Sequence, residues 1–157
     1  MSGVRISLSN IQYTYEWFNK DISSLIEQLR DKPFDLIVGI SRGGCIPAVC
    51  LSHALKVPTT MIDVSTRDGA NIHPISLSEF FMGVYEDYSS VLIVDDLIDS
   101  GRSMDIILAS AKLFGKPTLA TLLHNVEVNT GVEHYYGTAF SRVDEPRYFD
   151  FWWEKFK

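Results

Sequence analysis

Cysteine is scarce in this chain: Cys45 and Cys50 are the only two among 157 residues, too few for a disulfide framework. Five positions apart on an expected helix, their side chains point in different directions. They therefore read as buried free thiols in a reducing compartment rather than as a redox or metal pair. An N-terminal apolar targeting segment is missing, and so is any apolar run of membrane-spanning length, so no membrane partner is expected and the cytoplasm is the expected location. Basic residues are in deficit, with 14 Lys and Arg against 20 Asp and Glu and a net charge of −6. A general nucleic-acid binder would show a basic face, so no nucleic-acid partner is expected. A phosphate ligand is not excluded, because a local loop can bind an anion against the overall charge. Several chemical signatures are absent as well. No G-x-x-x-x-G-K-[ST], no G-x-G-x-x-G and no H-E-x-x-H occurs, which removes the P-loop, dinucleotide and zinc-protease readings. His53, His73, His124 and His134 are scattered and read as surface or satisfied histidines rather than as ligands. With no internal repeat, low-complexity tract or linker, residues 1–157 are expected to form a single domain.

What is present is an ordinary globular composition, 46% hydrophobic and 22% charged. Trp17, Ile22, Leu25, Ile26 and Leu29 return at helical spacing, predicting a helix over 14–30 with Thr14 as a possible N-cap. The aliphatic run 34–40, bounded by Pro33 and "SRGG", suits a strand covered on both faces. A helix from about Cys45 to Lys56 follows, ended near Val57-Pro58. Residues 59–65 are a second strand candidate. The polar stretch after it, with Gly69 and Pro74, shows no apolar period and reads as a long loop or short excursion, a kind of segment that is often functional. "SVLIVDD" is the third strand, Ser103 to Phe114 the helix behind it, closed by Gly115 and Pro117. "TLATLLH" and "YYGTAF" are the fourth and fifth strand candidates. Alternation of this kind argues a doubly wound α/β fold with a mainly parallel sheet and flanking helices. Ligands in such folds sit beyond the carboxyl ends of the strands, where both "SRGG" and "DDLIDSGRS" fall.

The acidic loop carries the clearest chemistry. A single acid after a strand is ordinarily a helix cap or a solvated turn, but Asp95, Asp96 and Asp99 lie within five positions. Such carboxylates suit a sugar diol and a hydrated Mg²⁺. Ser100, Gly101, Arg102 and Ser103 serve the opposite charge: a turn of close-approaching backbone, hydroxyl donors and a helix N-terminus favours an anion. A ribose 5-phosphate fits this order of groups. Ser41, Arg42, Gly43 and Gly44 form a second anion candidate, although a plain tight turn would look the same. Together the two loops could hold a ligand carrying a monophosphate at one end and a diphosphate at the other.

"VLIVDDLIDSGRS" resembles the phosphoribosyl pyrophosphate (PRPP) signature of type I phosphoribosyltransferases. "VGISRGGCIPAVCLSHAL" resembles the pyrophosphate loop and helix of the short purine enzymes, of the xanthine-guanine and hypoxanthine-guanine kind. "RYFDFWWE" (147–154) resembles their aromatic base-binding segment. The resemblance implies the type I phosphoribosyltransferase fold, with a mobile hood over residues 66–80 and a small C-terminal base-binding segment. It implies transfer of the phosphoribosyl group from PRPP to a purine base, Mg²⁺ as cofactor, and a homodimer or homotetramer. Asp95 and Asp96 match the acids that hold the ribose hydroxyls and the metal. Asp99 matches the acid that handles the ring proton of the base, and Asp99 to Ser103 match the 5′-phosphate loop. Ser41 to Gly44 match the pyrophosphate loop, with a non-proline cis peptide at Ser41–Arg42. Tyr148 matches the aromatic that stacks on the base and Phe149 a backbone contact to it, while "FDFWW" taken alone is more often a buried aromatic terminus. Asn125 stands where the family usually carries a Lys that donates to a 6-oxo group; Asn donates without charge and with less reach. The alternatives are a PRPP-binding sensor or regulatory protein of the same fold, and an α/β domain with fortuitous loops.

Overall fold

A computed structural model describes residues 9–64 and 74–156 of the chain. The first strand, β1 (Ile11–Tyr13), leads straight into helix α1 (Tyr15–Leu29). Thr14 caps that helix, its hydroxyl accepting from the Trp17 N–H at 3.1 Å, an interaction that typically contributes about 1 kcal/mol. Phe18, Ile22, Leu25 and Leu29 recur every third or fourth position and are all buried, so one stripe of α1 faces the core.

Five strands then build the main sheet: β2 (Leu36–Ser41), β3 (Thr59–Asp63), β4 (Val91–Ile98), β5 (Thr118–Asn125) and β6 (His134–Phe140). All pairings are parallel and the order is β3-β2-β4-β5-β6. Helices α2 (Cys45–Leu55), α3 (Pro74–Asp87) and α4 (Arg102–Lys112) complete the layers. Because strand side chains alternate between faces, Ile37, Leu92 and Val94 pack with α1 and α2, while Val38 and Ile93 pack with α3 and α4. Each of these residues is essentially inaccessible to water, and burying such a side chain contributes roughly 1.5–3 kcal/mol. A strand buried on both faces needs the near-continuous aliphatic run that "LIVGI" supplies. The sheet is therefore doubly wound, as the alternation of elements implies.

The strand order sets the position of the site. From β2 the chain moves outward to β3 and then crosses to β4 on the other side of β2. The direction of winding reverses between β2 and β4, which makes their carboxyl ends the two lips of a crevice.

Several elements differ from the sequence reading. Residues 74–79, the end of the polar stretch, open α3 rather than belong to a loop: Leu77, Phe81 and Val84 sit at helical spacing and are buried, a stripe that begins inside the polar stretch and ends beyond it. The hood expectation otherwise falls on residues 66–73, outside the described residues. β4 continues through the acids to Ile98, and α4 begins at Arg102. Last, β1 pairs in parallel with β7 (Phe149–Phe151), followed by a short 3-10 turn, Trp152–Glu154. That pairing buries Phe149 and Phe151 against Tyr13 and Trp17, and so anchors the segment that carries Tyr148. Beneath it, buried Asp21 accepts from the Tyr13 hydroxyl at 2.6 Å and the Thr138 hydroxyl at 2.7 Å; burial pushes its carboxyl above the ordinary range. Among the described residues no helix is long and apolar enough to cross a membrane, and Cys45 and Cys50 are unpaired and half-buried.

Candidate active site

Ser41, Arg42 and Gly43 line the same cleft of about 210 Å³ as Asp95 to Ser103. Two loops more than fifty positions apart thus face each other at the reversal point of the sheet. The Ser41–Arg42 peptide is cis. Gly43 packs bare backbone onto Asp96: a Cβ there would lie 1.9 Å from Asp96 Oδ2. No other residue allows that approach, so the two loops are fitted together at this point. Gly44 turns away from the cleft, caps α2 and donates its N–H to Ile40 O at 2.8 Å.

Asp95 and Asp96 lie within β4, where alternation sends successive side chains to opposite sides. Asp96 is 8% exposed and faces Gly43. Asp95 is half-buried and folds back, with Oδ1 accepting the Asp96 N–H at 2.8 Å. The neighbouring acids are thus held apart by strand geometry. Among the described residues no three His, Cys, Asp or Glu side chains converge as a metal cage.

The turn 99–103 leads directly into a helix N-terminus. Gly101 has φ of 79°, and a Cβ there would also meet Val128 Cγ1 at 2.7 Å. Glycine at this point lets the turn fold back into α4, whose first backbone N–H groups have no partner inside the helix. The Arg102 N–H is met by Ser100 Oγ at 3.4 Å. A helix N-terminus with hydroxyls beside it favours negative charge.

Asp99 lines the cleft and joins it to residues far along the chain. Arg142 grips its carboxylate with a two-point fork, Nε to Oδ1 at 2.7 Å and Nη2 to Oδ2 at 3.1 Å. The same guanidinium donates through Nη1 to Glu145 O at 3.0 Å and to Arg147 O. It also lies against the rings of Phe140, Tyr148 and Phe149, 5.0–5.7 Å from their centroids. The hydrogen bonds to Asp99 hold Arg142 above its ordinary value. Asn125, 5% exposed, braces this corner, with Nδ2 donating to Asp99 O at 2.9 Å and Oδ1 accepting from Glu127 N and Arg142 N. Tyr148 is 70% exposed beside the Arg142 guanidinium, whereas the Phe149 ring belongs to the core and its backbone to the β1–β7 ladder.

Sequence reasoning missed Arg142. Forty-three positions separate it from Asp99, and nothing local distinguishes "SRVDEPRY" from a solvated turn. The one hint was a cation placed just ahead of the aromatic segment. His124 and His134, ten positions apart in the sequence, are brought together by the sheet: their rings stack edge to face with centroids 4.4 Å apart, on β5 and the edge strand β6. His134 Nε2 pairs with Thr121 Oγ1 at 2.8 Å. Burial, and then the neighbouring His124, push His134 down to about 3; burial also lowers His124.

Residues 13–127 match the family described as the phosphoribosyl transferase domain. The chain is 31% identical over 94 residues to a xanthine-guanine phosphoribosyltransferase of Chromohalobacter salexigens, covering 59% of this chain and 57% of that protein, so the match spans little more than half of that relative. It is 29% identical over 126 residues to the enzyme of the same name from Cereibacter sphaeroides, covering 71% and 74%. Among solved structures, a purine phosphoribosyltransferase from Pyrococcus horikoshii superposes with a TM-score of 0.72 at 29% identity, over 96% of this chain and 97% of that one.

Proposed function

The chain belongs to the phosphoribosyl transferase family, and on that premise we propose that it transfers the 5-phosphoribosyl group of PRPP to a 6-oxopurine, releasing pyrophosphate and forming a nucleoside 5′-monophosphate, a reaction of purine salvage. The observation that carries this reading is the single cleft at the β2–β4 reversal, which sets the Ser41–Gly43 turn opposite the Asp95–Ser103 loop. Two anion-binding turns flanking carboxylates match PRPP, a ribose with a phosphate at one end and a pyrophosphate at the other.

In this reading Ser100 to Ser103 and the α4 N-terminus bind the 5′-phosphate, Ser41 to Gly44 the pyrophosphate, and Asp95 and Asp96 the ribose hydroxyls. Asp95 and Asp96 also fit Mg²⁺, which takes one or two carboxylates and completes its shell with water and phosphate oxygens. The two hard oxygen donors without a protein cage agree with that demand. Bound there, the metal supplies positive charge that stabilises departing pyrophosphate. A ring nitrogen of the base attacks C1 of the ribose; the new C–N bond forms as the C1–O bond breaks, and pyrophosphate leaves with the electron pair. Positive charge that builds on the ribose ring faces the carboxylates of β4. Asp99 accepts the ring proton of the incoming base, Tyr148 offers a flat face for stacking, and Asn125, its amide spent on the backbone of Asp99, Glu127 and Arg142, braces the base end from beneath. The family likeness extends the proposal to a cytoplasmic homodimer or homotetramer.

The test is incubation with PRPP, Mg²⁺ and guanine, xanthine, hypoxanthine or adenine, with nucleotides separated and quantified. Nucleotide from at least one 6-oxopurine is the expected result. PRPP binding without product from any base would overturn the transferase reading and leave a PRPP sensor.

A further inference from the structure

The fork between Arg142 and Asp99 ties together two loops that are far apart in the sequence. Asp99 stands on the loop after β4, Arg142 on the loop after β6, and the guanidinium spends four of its five N–H groups on the Asp99 carboxylate and the carbonyls of Glu145 and Arg147. The fifth, on Nη2, has no hydrogen-bond partner among the described residues. Asn125 lies closer in sequence to the core of the site, but it is buried and both ends of its amide brace neighbouring backbone. Beside the fork stands Tyr148, its ring 5.7 Å from the guanidinium carbon and largely open to solvent.

A ligand edge that fits this corner must give a hydrogen to a carboxylate and accept one from a guanidinium immediately next to it. A free 6-oxopurine has such an edge, an imidazole N–H beside the exocyclic oxygen; in the product nucleotide that proton has passed to Asp99, and the oxygen still accepts from the guanidinium. A 6-aminopurine presents only donors at the exocyclic position and would oppose its amino group to a cation. We propose that Arg142 is the specificity-determining residue of the base end: it positions Asp99 and its remaining N–H meets the exocyclic oxygen of a 6-oxopurine. The same fork holds Tyr148 in place through the carbonyls on either side of Pro146, so the platform and the donor are set by one side chain.

This assignment rests on the base-transfer reading, and its test is a binding measurement that does not need turnover. The affinities of GMP, AMP and ribose 5-phosphate are measured by calorimetry in Mg²⁺ buffer for the wild type, Arg142→Gln and Arg142→Lys, with thermal melts to confirm folding. The wild type is expected to prefer GMP over AMP. Arg142→Gln is expected to weaken GMP roughly tenfold or more, the contribution of one hydrogen bond to a charged group, to narrow the GMP preference, and to leave ribose 5-phosphate within about twofold. Arg142→Lys, which keeps the charge and loses the fork, is expected to fall between the two, and carries the test alone if the Gln variant does not fold. Unchanged GMP binding, or an equal loss for GMP and ribose 5-phosphate, would overturn the assignment, as would a wild type that binds GMP no better than ribose 5-phosphate. A wild type that discriminates GMP through Arg142 but makes no nucleotide would sink the transfer reaction and leave the assignment standing.

Discussion

At the proposed sugar-phosphate end of the cleft, Ser41 to Gly43 and Asp99 to Ser103 lie at the carboxyl ends of adjacent strands. At the proposed base end, Asn125, Arg142 and Tyr148 arrive as side chains from three separate segments and meet only through tertiary contacts. The first construction depends on glycines and strand geometry, which tolerate almost no substitution but say nothing about which base is used. The second depends on side-chain identity, so it can change its ligand without disturbing the sheet. A phosphate is recognised by charge and N–H direction, a base by the order of donors and acceptors along one edge, and the two ends are built accordingly.

Asp99 belongs to both ends, so it should give the largest effect. Asp99→Asn is expected to lower turnover at least about a hundredfold, within the usual range for a proton-accepting side chain, while PRPP still binds; unchanged steady-state rates would remove Asp99 from the chemistry. Gly43→Ala should strike the sugar-phosphate end alone. Its Cβ would overlap the Asp96 carboxylate, so PRPP affinity should drop roughly tenfold with the base preference intact. Equal PRPP affinity, measured by titration, would show that the Gly43–Asp96 contact does not shape the site. Tyr148→Ala is the converse probe: losing an aromatic platform of about 0.5–1.5 kcal/mol should raise KM for the base several-fold and leave KM for PRPP unchanged. A parallel rise in both constants would contradict the division into two ends.

The smallest effect on catalysis is expected away from both ends, at the His124–His134 pair. His134 titrates near 6.5 when unfolded and is pushed down to about 3 when folded. Between those values the unfolded chain holds more protons, so stability falls as pH drops through that window, with a slope of up to about 1.4 kcal/mol per pH unit for one group. Denaturant melts from pH 7 to pH 4 should show this loss, and His134→Gln should flatten it. An equally steep profile in the variant would assign acid sensitivity to other groups.

The same contrast explains what could be read from the sequence. Ser41–Gly44 and Asp95–Ser103 are contiguous, and the strand–turn–helix pattern around each is local, so both loops and their strands were legible. The β1–β7 pairing joins Ile11 to Phe149 across nearly the whole chain, and no local period marks either strand. Helix α3 was hidden because its buried stripe starts among polar residues, and the last residues of β4 because acids in a strand look like the end of one. Arg142 was hidden for the same physical reason as β7: its partners are brought to it by the fold, not by its neighbours.

The central claim, one cleft holding PRPP at one end and a base at the other, is tested most directly by stoichiometry. Pyrophosphate release from PRPP is followed with and without a 6-oxopurine while nucleotide is counted in the same reaction. The account predicts negligible release without base, and one nucleoside 5′-monophosphate for each pyrophosphate with it. Pyrophosphate release that is independent of the base, or none in its presence, would contradict it.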